Sequence, residues 1–112
     1  MKYTVKDYQN YLYEHYKNGG TDSSLFMKLV EEVGEVAEVL NKRDGRKLSC
    51  ENNLTTQLAN ELVDVIHYAV AIASLNGIDL TSAILEKDAH TAIKYKHSQN
   101  FKDFLKSLDE SF

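Results

Sequence analysis

The sequence predicts an all-α fold. Long segments repeat their apolar residues with a period near 3.6, and no stretch shows the strict alternation of a half-buried strand. Proline is absent, and three of the five glycines (Gly19, Gly20 and Gly77) fall where helices would stop. At 112 residues the chain has the length of one compact domain, so residues 1–112 are read as a single domain. A core of that size gains from sharing apolar surface with a second subunit.

The first helix runs from Val5 to Lys17, is rich in tyrosine, and ends at Asn18-Gly19-Gly20. Thr21-Asp22-Ser23-Ser24 then offers N-cap residues for a second helix from Ser24 to about Arg43. Asp44-Gly45-Arg46 reads as a turn and Lys47 to Asn53 as a polar loop. The third helix extends from about Leu54 to Leu75 and closes at Asn76-Gly77. Asp79 or Thr81 caps a fourth that continues to about Tyr95. After the polar stretch His97 to Asn100, the spacing of Phe101, Phe104, Leu105 and Leu108 predicts a short amphipathic helix.

A net charge of −4 gives the chain no bulk attraction for a nucleic-acid polymer or an anionic membrane. An acidic protein can still bind a polyanion when a divalent cation sits between the two charges. Cys50 is the single cysteine, which excludes an intrachain disulfide and a thiolate metal site. The first residues are not followed by the apolar segment of a signal peptide. The longest apolar run, Val65 to Leu75, is shorter than the roughly 20 residues a membrane span needs. A cytoplasmic protein is expected.

Two segments carry the chemistry. One is Glu31-Glu32-Val33-Gly34-Glu35, with Glu38 after it, and the other is Glu61-Leu62-Val63-Asp64. Carboxylates three residues apart project from the same side of a helix. An isolated E-x-x-E is usually a solvated acidic face, so the surroundings decide. With about 100° per residue, the second helix has an apolar stripe centred on Phe26, Leu29, Val33, Val36 and Leu40. Glu31 and Glu38 lie opposite it, while Glu32 and Glu35 flank it at about 60° and 120°. In the third helix nearly every position from Glu61 to Leu75 is apolar, which marks a central helix. Glu61 and Asp64 within it need a cation, because an unpaired buried carboxylate costs several kcal/mol. No lysine or arginine lies between Lys47 and Lys87 to supply one. Oxygen ligands without cysteine suit Mg²⁺ or Mn²⁺ rather than zinc.

The order E-E-x-x-E, a spacer, then E-x-x-D, within "KLVEEVGEVAEVL" and "ELVDVIHYAVAIASLNGIDL" and followed by Lys87, resembles the MazG-like members of the all-α nucleotide pyrophosphohydrolases. The resemblance covers about Leu25 to Tyr95. It implies a bundle of four to five helices assembled as a homodimer or a dimer of dimers. It also implies hydrolysis of a (deoxy)nucleoside triphosphate to the monophosphate and pyrophosphate. Glu32, Glu35, Glu61 and Asp64 match the Mg²⁺ ligands, with Mn²⁺ as a substitute. Glu31 would position water or help a further metal, and Glu35 or Glu31 would be the base. Lys87 matches a phosphate-binding lysine. The family's asparagine position holds Thr91 and the nearby basic position holds Lys94. A hydroxyl replaces a two-donor amide, and a point charge replaces the arginine fork. Tyr68, one turn after Asp64, matches a position near base or sugar, and reads equally well as a core aromatic. With no tryptophan present, base stacking would fall to tyrosine or phenylalanine. Among Tyr8, Tyr11, Tyr13 and Tyr16, packing is the commoner role for any one residue.

His67 forms D-x-x-H with Asp64, a spacing found in metal motifs, but it points well away from Glu61 and reads as a core or interface histidine. His15, His90 and His97 read as surface residues and Cys50 as inert. Two other classes compete. A di-iron or di-manganese carboxylate bundle would need Glu-x-x-His motifs, which the chain lacks. A non-catalytic helical interaction module leaves Glu61 and Asp64 in an apolar helix unexplained.

Overall fold

The computed structural model describes residues 1–45 and 53–109. Among these the chain forms five helices and no strand: α1 (Val5–Tyr16), α2 (Asp22–Arg43), α3 (Leu54–Leu75), α4 (Leu80–Lys94) and α5 (Phe101–Asp109). The chain divides into two compact units, Met1–Gly77 and Ile78–Phe112. Cys50 and most of the predicted 47–53 loop lie outside the described residues.

In the first unit, short polar side chains set the helix starts. The Thr4 hydroxyl accepts from the Asp7 amide at 3.1 Å, and Asp7 returns a bond to the Thr4 amide at 2.9 Å. Thr21 and Ser24 form the same reciprocal box, so α2 starts at Asp22, two residues before the predicted Ser24. Such a box satisfies two of the amides that a helix N-terminus leaves without partners. Asn53 caps α3 by accepting from the Thr56 amide at 3.1 Å. Gly20 lets the α1–α2 connection turn tightly. A Cβ there would lie 3.0 Å from Tyr16 Cβ and 3.1 Å from Leu75 Cδ1.

α3 is the central helix of this unit and packs against both α1 and α2. α2 and α3 run antiparallel: Asn76, just after α3, donates to Asp22 at the start of α2 at 2.8 Å. Their seam follows a 4-3 spacing. Leu25, Leu29, Glu32, Val36 and Val39 of α2 face Leu54, Leu58, Glu61, Val65, Tyr68, Ile72 and Leu75 of α3, all buried or half-buried. This corrects the predicted stripe. Phe26 and Val33, which the sequence placed at its centre, are 55% and 53% exposed. α2 carries two apolar stripes, and the one with Leu25, Leu29, Val36 and Val39 packs on α3. The other, with Phe26, Val30 and Val33, is exposed, as are Leu62 and Ile66 of α3. α1 lies across another side of α3. Leu12 is fully buried, and Ser74 Oγ donates to the Gln9 carbonyl at 3.0 Å.

On length and composition α3 could reach across a membrane. The run read from the sequence as Val65 to Leu75 was too short a measure, because Leu54, Leu58, Leu62 and Val63 extend the apolar character backwards. The central helix of a bundle meets the same criterion.

In the second unit Asp79, not Thr81, caps α4, accepting from the Thr81 amide at 3.1 Å. The helix ends without glycine. Lys96 takes the left-handed conformation (φ 57°), its amide bonds to the Ile93 carbonyl at 3.2 Å, and the His97 amide bonds to the Ala92 carbonyl at 2.8 Å. α5 packs on α4, and the Asp88 carboxylate accepts from the Phe101 amide at 2.6 Å.

Candidate metal centre

The antiparallel seam places acids from two helices opposite each other. Glu32 and Glu61 are both seam residues, and Asp64 follows Glu61 by one turn. Each offers a carboxylate oxygen, and the three oxygens lie within 4.8 Å of one another. Among the described residues no lysine, arginine or histidine forms an ion pair with any of them.

Electrostatics bears the marks of this crowding. The Glu32 carboxyl is held above the usual glutamate range, first by a side-chain hydrogen bond with Glu61, then by burial and by the charges of Asp64, Glu61 and Glu31. This crowding favours a proton on Glu32 beyond the pH at which an isolated glutamate releases it. A hard divalent cation could replace that proton and relieve the remaining repulsion. Three convergent carboxylates with no ion-paired cation among the described residues fit Mg²⁺ or Mn²⁺.

The other predicted residues stand as follows. Glu35 is exposed on α2, one turn past Glu32 and outside the group of three. Glu31 faces outward, as its wheel position predicts, and pairs with Lys28 at 3.3 Å between two exposed side chains. Tyr68 is a half-buried seam residue whose ring meets His67 edge-on, with centroids 4.9 Å apart. Lys87 and Thr91 share one face of α4 in the second unit, beside Leu80, Ala83, Ile84 and Asp88. Lys94 Nζ sits over the Tyr95 ring, 5.4 Å from its centroid.

Two features were not anticipated. Tyr3, Val5, Tyr8 and Tyr11 join Val63, Ile66 and Val70 around an apolar groove of about 690 Å³ on the α1 side of α3. His67, expected in the core or at an interface, is half-buried between two hydroxyls of α1: Tyr16 at 2.6 Å from Nε2 and Tyr8 at 3.4 Å from Nδ1. The only sequence trace of that arrangement is the pair of tyrosines eight residues apart in a helix beside a histidine-bearing one.

Fold and site together define an all-helical protein with a carboxylate centre able to hold a hard divalent cation. The model of the MazG nucleotide pyrophosphohydrolase domain matches residues 20–94, and the chain belongs to that family. The family is metal-dependent, in keeping with the Glu32, Glu61 and Asp64 cluster. No curated protein and no solved structure matches the chain.

Proposed function

We propose that the chain, acting as one domain over residues 1–112, hydrolyses (deoxy)nucleoside triphosphates to the monophosphate and pyrophosphate with Mg²⁺, for which Mn²⁺ can substitute. The observation that carries this reading is the convergence of Glu32, Glu61 and Asp64 oxygens within 4.8 Å, with no ion pair to any of them among the described residues. Those three would hold the ion, with Glu35 as a fourth ligand. Glu35 is exposed one turn from Glu32, so its side chain is free to swing inward. When bound, the ion would supply charge neutralisation and Lewis-acid activation of a water.

The protein's own groups supply the rest. Glu35 or Glu31 would accept the proton of the attacking water. Among the described residues Glu31 is tied only by an exposed pair with Lys28, a contact of little energy that is readily given up. Lys87 would stabilise charge on the phosphates, with Lys94 assisting and the Thr91 hydroxyl offering a hydrogen bond. Tyr68, in the same seam as Glu61, would border the base or sugar.

Self-association as a dimer or a dimer of dimers would cover Phe26, Val30, Val33, Leu62 and Ile66, all at least 44% exposed in the single chain. Burying that side of α3 fits a cytoplasmic protein whose central helix packs on protein rather than lipid. Nucleotide-pool housekeeping suits such an activity.

The test is pyrophosphate release from a panel of canonical and modified NTPs and dNTPs with Mg²⁺, alongside Glu32→Gln and Asp64→Asn. Each variant should lose nearly all turnover. Wild-type rates in either one would refute the metal assignment. Metal-dependent dimerisation without turnover of any nucleotide would refute the enzymatic reading.

A further inference from the structure

Two of the contacts that fasten α1 to α3 end on His67. Tyr16 Oη lies 2.6 Å from its Nε2 and Tyr8 Oη 3.4 Å from its Nδ1. The ring is half-buried, with the rings of Tyr16, Tyr68 and Tyr8 edge-on to it at centroid distances of 5.6, 4.9 and 6.4 Å. A neutral imidazole carries one donor and one acceptor, so in either tautomer one hydroxyl donates to the ring and the other can accept from it. Protonation removes the acceptor. Both nitrogens then donate, and the hydroxyl that had donated must turn its proton away or leave.

The surroundings give a charged ring little support. Among the described residues no carboxylate forms an ion pair with it. Burial, then the charge of His15 on α1, pushes the His67 pKa below the ordinary 6.5, against the opposing pull of Asp64 on α3. His15 stands edge-on to Tyr16, with centroids 4.7 Å apart. Tyr8, Tyr16 and Tyr68 are the other titratable groups around the ring, and phenols stay neutral across this range. α2 packs on the seam face of α3 and adds no charged group to the contacts of the ring among the described residues.

We propose that His67 is a proton-operated latch: the neutral ring clasps α1 to α3 through Tyr16 and Tyr8, and its protonation loosens α1. Tyr8 and Tyr11 also wall the apolar groove that Val63, Ile66 and Val70 line from α3, so loosening α1 opens that groove. The buried Leu12 and the bond from Ser74 Oγ to the Gln9 carbonyl do not titrate, and they keep α1 within reach. Because the docked ring favours its neutral form, the clasp is complete above pH 6.5 and is lost as pH falls through the folded pKa. The latch needs neither metal nor nucleotide.

The test is amide hydrogen exchange by mass spectrometry on the full chain between about pH 7.5 and about pH 5, corrected for the intrinsic pH dependence of exchange. Protection of α1 should fall about fivefold on acidification, the equilibrium factor of one net hydrogen bond. Protection of α2 should hold or rise, because the raised Glu32 pKa favours the seam at low pH. His67→Gln keeps a donor and an acceptor without titrating, so its α1 should stay protected at both pH values. Tyr16→Phe removes one oxygen and keeps the ring, and it tests the latch even if His67→Gln fails to fold. At neutral pH it should loosen α1 about fivefold and leave α2 unchanged. His15→Gln should retain the acid loosening.

Equal loss of protection in α1 and α2 on acidification overturns the latch, since acid would then be weakening the whole bundle. Full acid loosening of α1 in His67→Gln overturns it too, as does its disappearance in His15→Gln, which would make His15 the sensor. Tyr16→Phe with wild-type α1 protection at neutral pH would show that the clasp carries no load.

Discussion

Replacing Glu61 with glutamine should stabilise the protein without metal and destabilise it with metal. Glu61 takes part in two of the three like-charge pairs among oxygens that lie within 4.8 Å. At 4.8 Å, two unit charges repel by about 1 kcal/mol at the dielectric of water and about 3.5 kcal/mol at an effective dielectric of about 20. The raised Glu32 pKa already eases the Glu32–Glu61 repulsion, and glutamine can still hydrogen-bond Glu32. That leaves mainly the Glu61–Asp64 pair. Both helices are half-open to solvent here, so the lower end applies: a gain of about 1 kcal/mol, or roughly 4 °C in Tm. Metal acts the other way. Mg²⁺ at about 100 times its Kd adds about 2.7 kcal/mol to the wild type. A variant whose affinity has fallen about a hundredfold gains only about 0.4 kcal/mol at that concentration. Calorimetric unfolding in chelator and in saturating Mg²⁺ should therefore give melting temperatures that cross. If Glu61→Gln is the less stable form in chelator, or gains as much from Mg²⁺ as the wild type, the three oxygens are not a repulsive cage awaiting a cation.

Because the folded Glu32 pKa lies above the ordinary glutamate value of 4.5, its contribution to metal-free stability is present below pH 4.5 and lost as pH rises through the folded pKa. Urea titrations in chelator should show wild type losing stability relative to Glu32→Gln over that rise, and parallel curves would contradict the raised Glu32 pKa. His67 has the opposite sign. Its folded pKa lies below 6.5, so its contribution is full above pH 6.5 and declines as pH falls through the folded value. His67→Gln should flatten that acid limb in the same titrations. Gly20→Ala should cost about 1–2 kcal/mol in urea unfolding, since the new Cβ meets Tyr16 and Leu75 at 3.0 and 3.1 Å. An unchanged midpoint would mean the turn relaxes freely.

Helix existence and ends were legible in the residues because they depend on local chemistry. Threonine and asparagine caps, glycine near stops and a 3.6 period act within one or two turns, and α3 begins and ends at the predicted Leu54 and Leu75. The end of α4 was less sharp, since Lys96 occupies a left-handed position that glycine usually marks. The chemical kind of site was legible too: acids without a cationic neighbour inside an apolar helix require a cation from elsewhere.

Which acids converge was a tertiary decision. α2 presents two apolar stripes about 110° apart, and periodicity alone cannot say which one α3 takes. Choosing Leu25, Leu29, Val36 and Val39 brings Glu32 from the stripe's edge into the seam opposite Glu61, and leaves Phe26 and Val33 bare. His67 illustrates the same division. Its place on α3 follows from the sequence, but its partners lie 51 and 59 residues away. Only the packing of α1 across α3 determines that those partners are hydroxyls, because hydrogen-bond partners are set by proximity in space and local sequence carries no record of it.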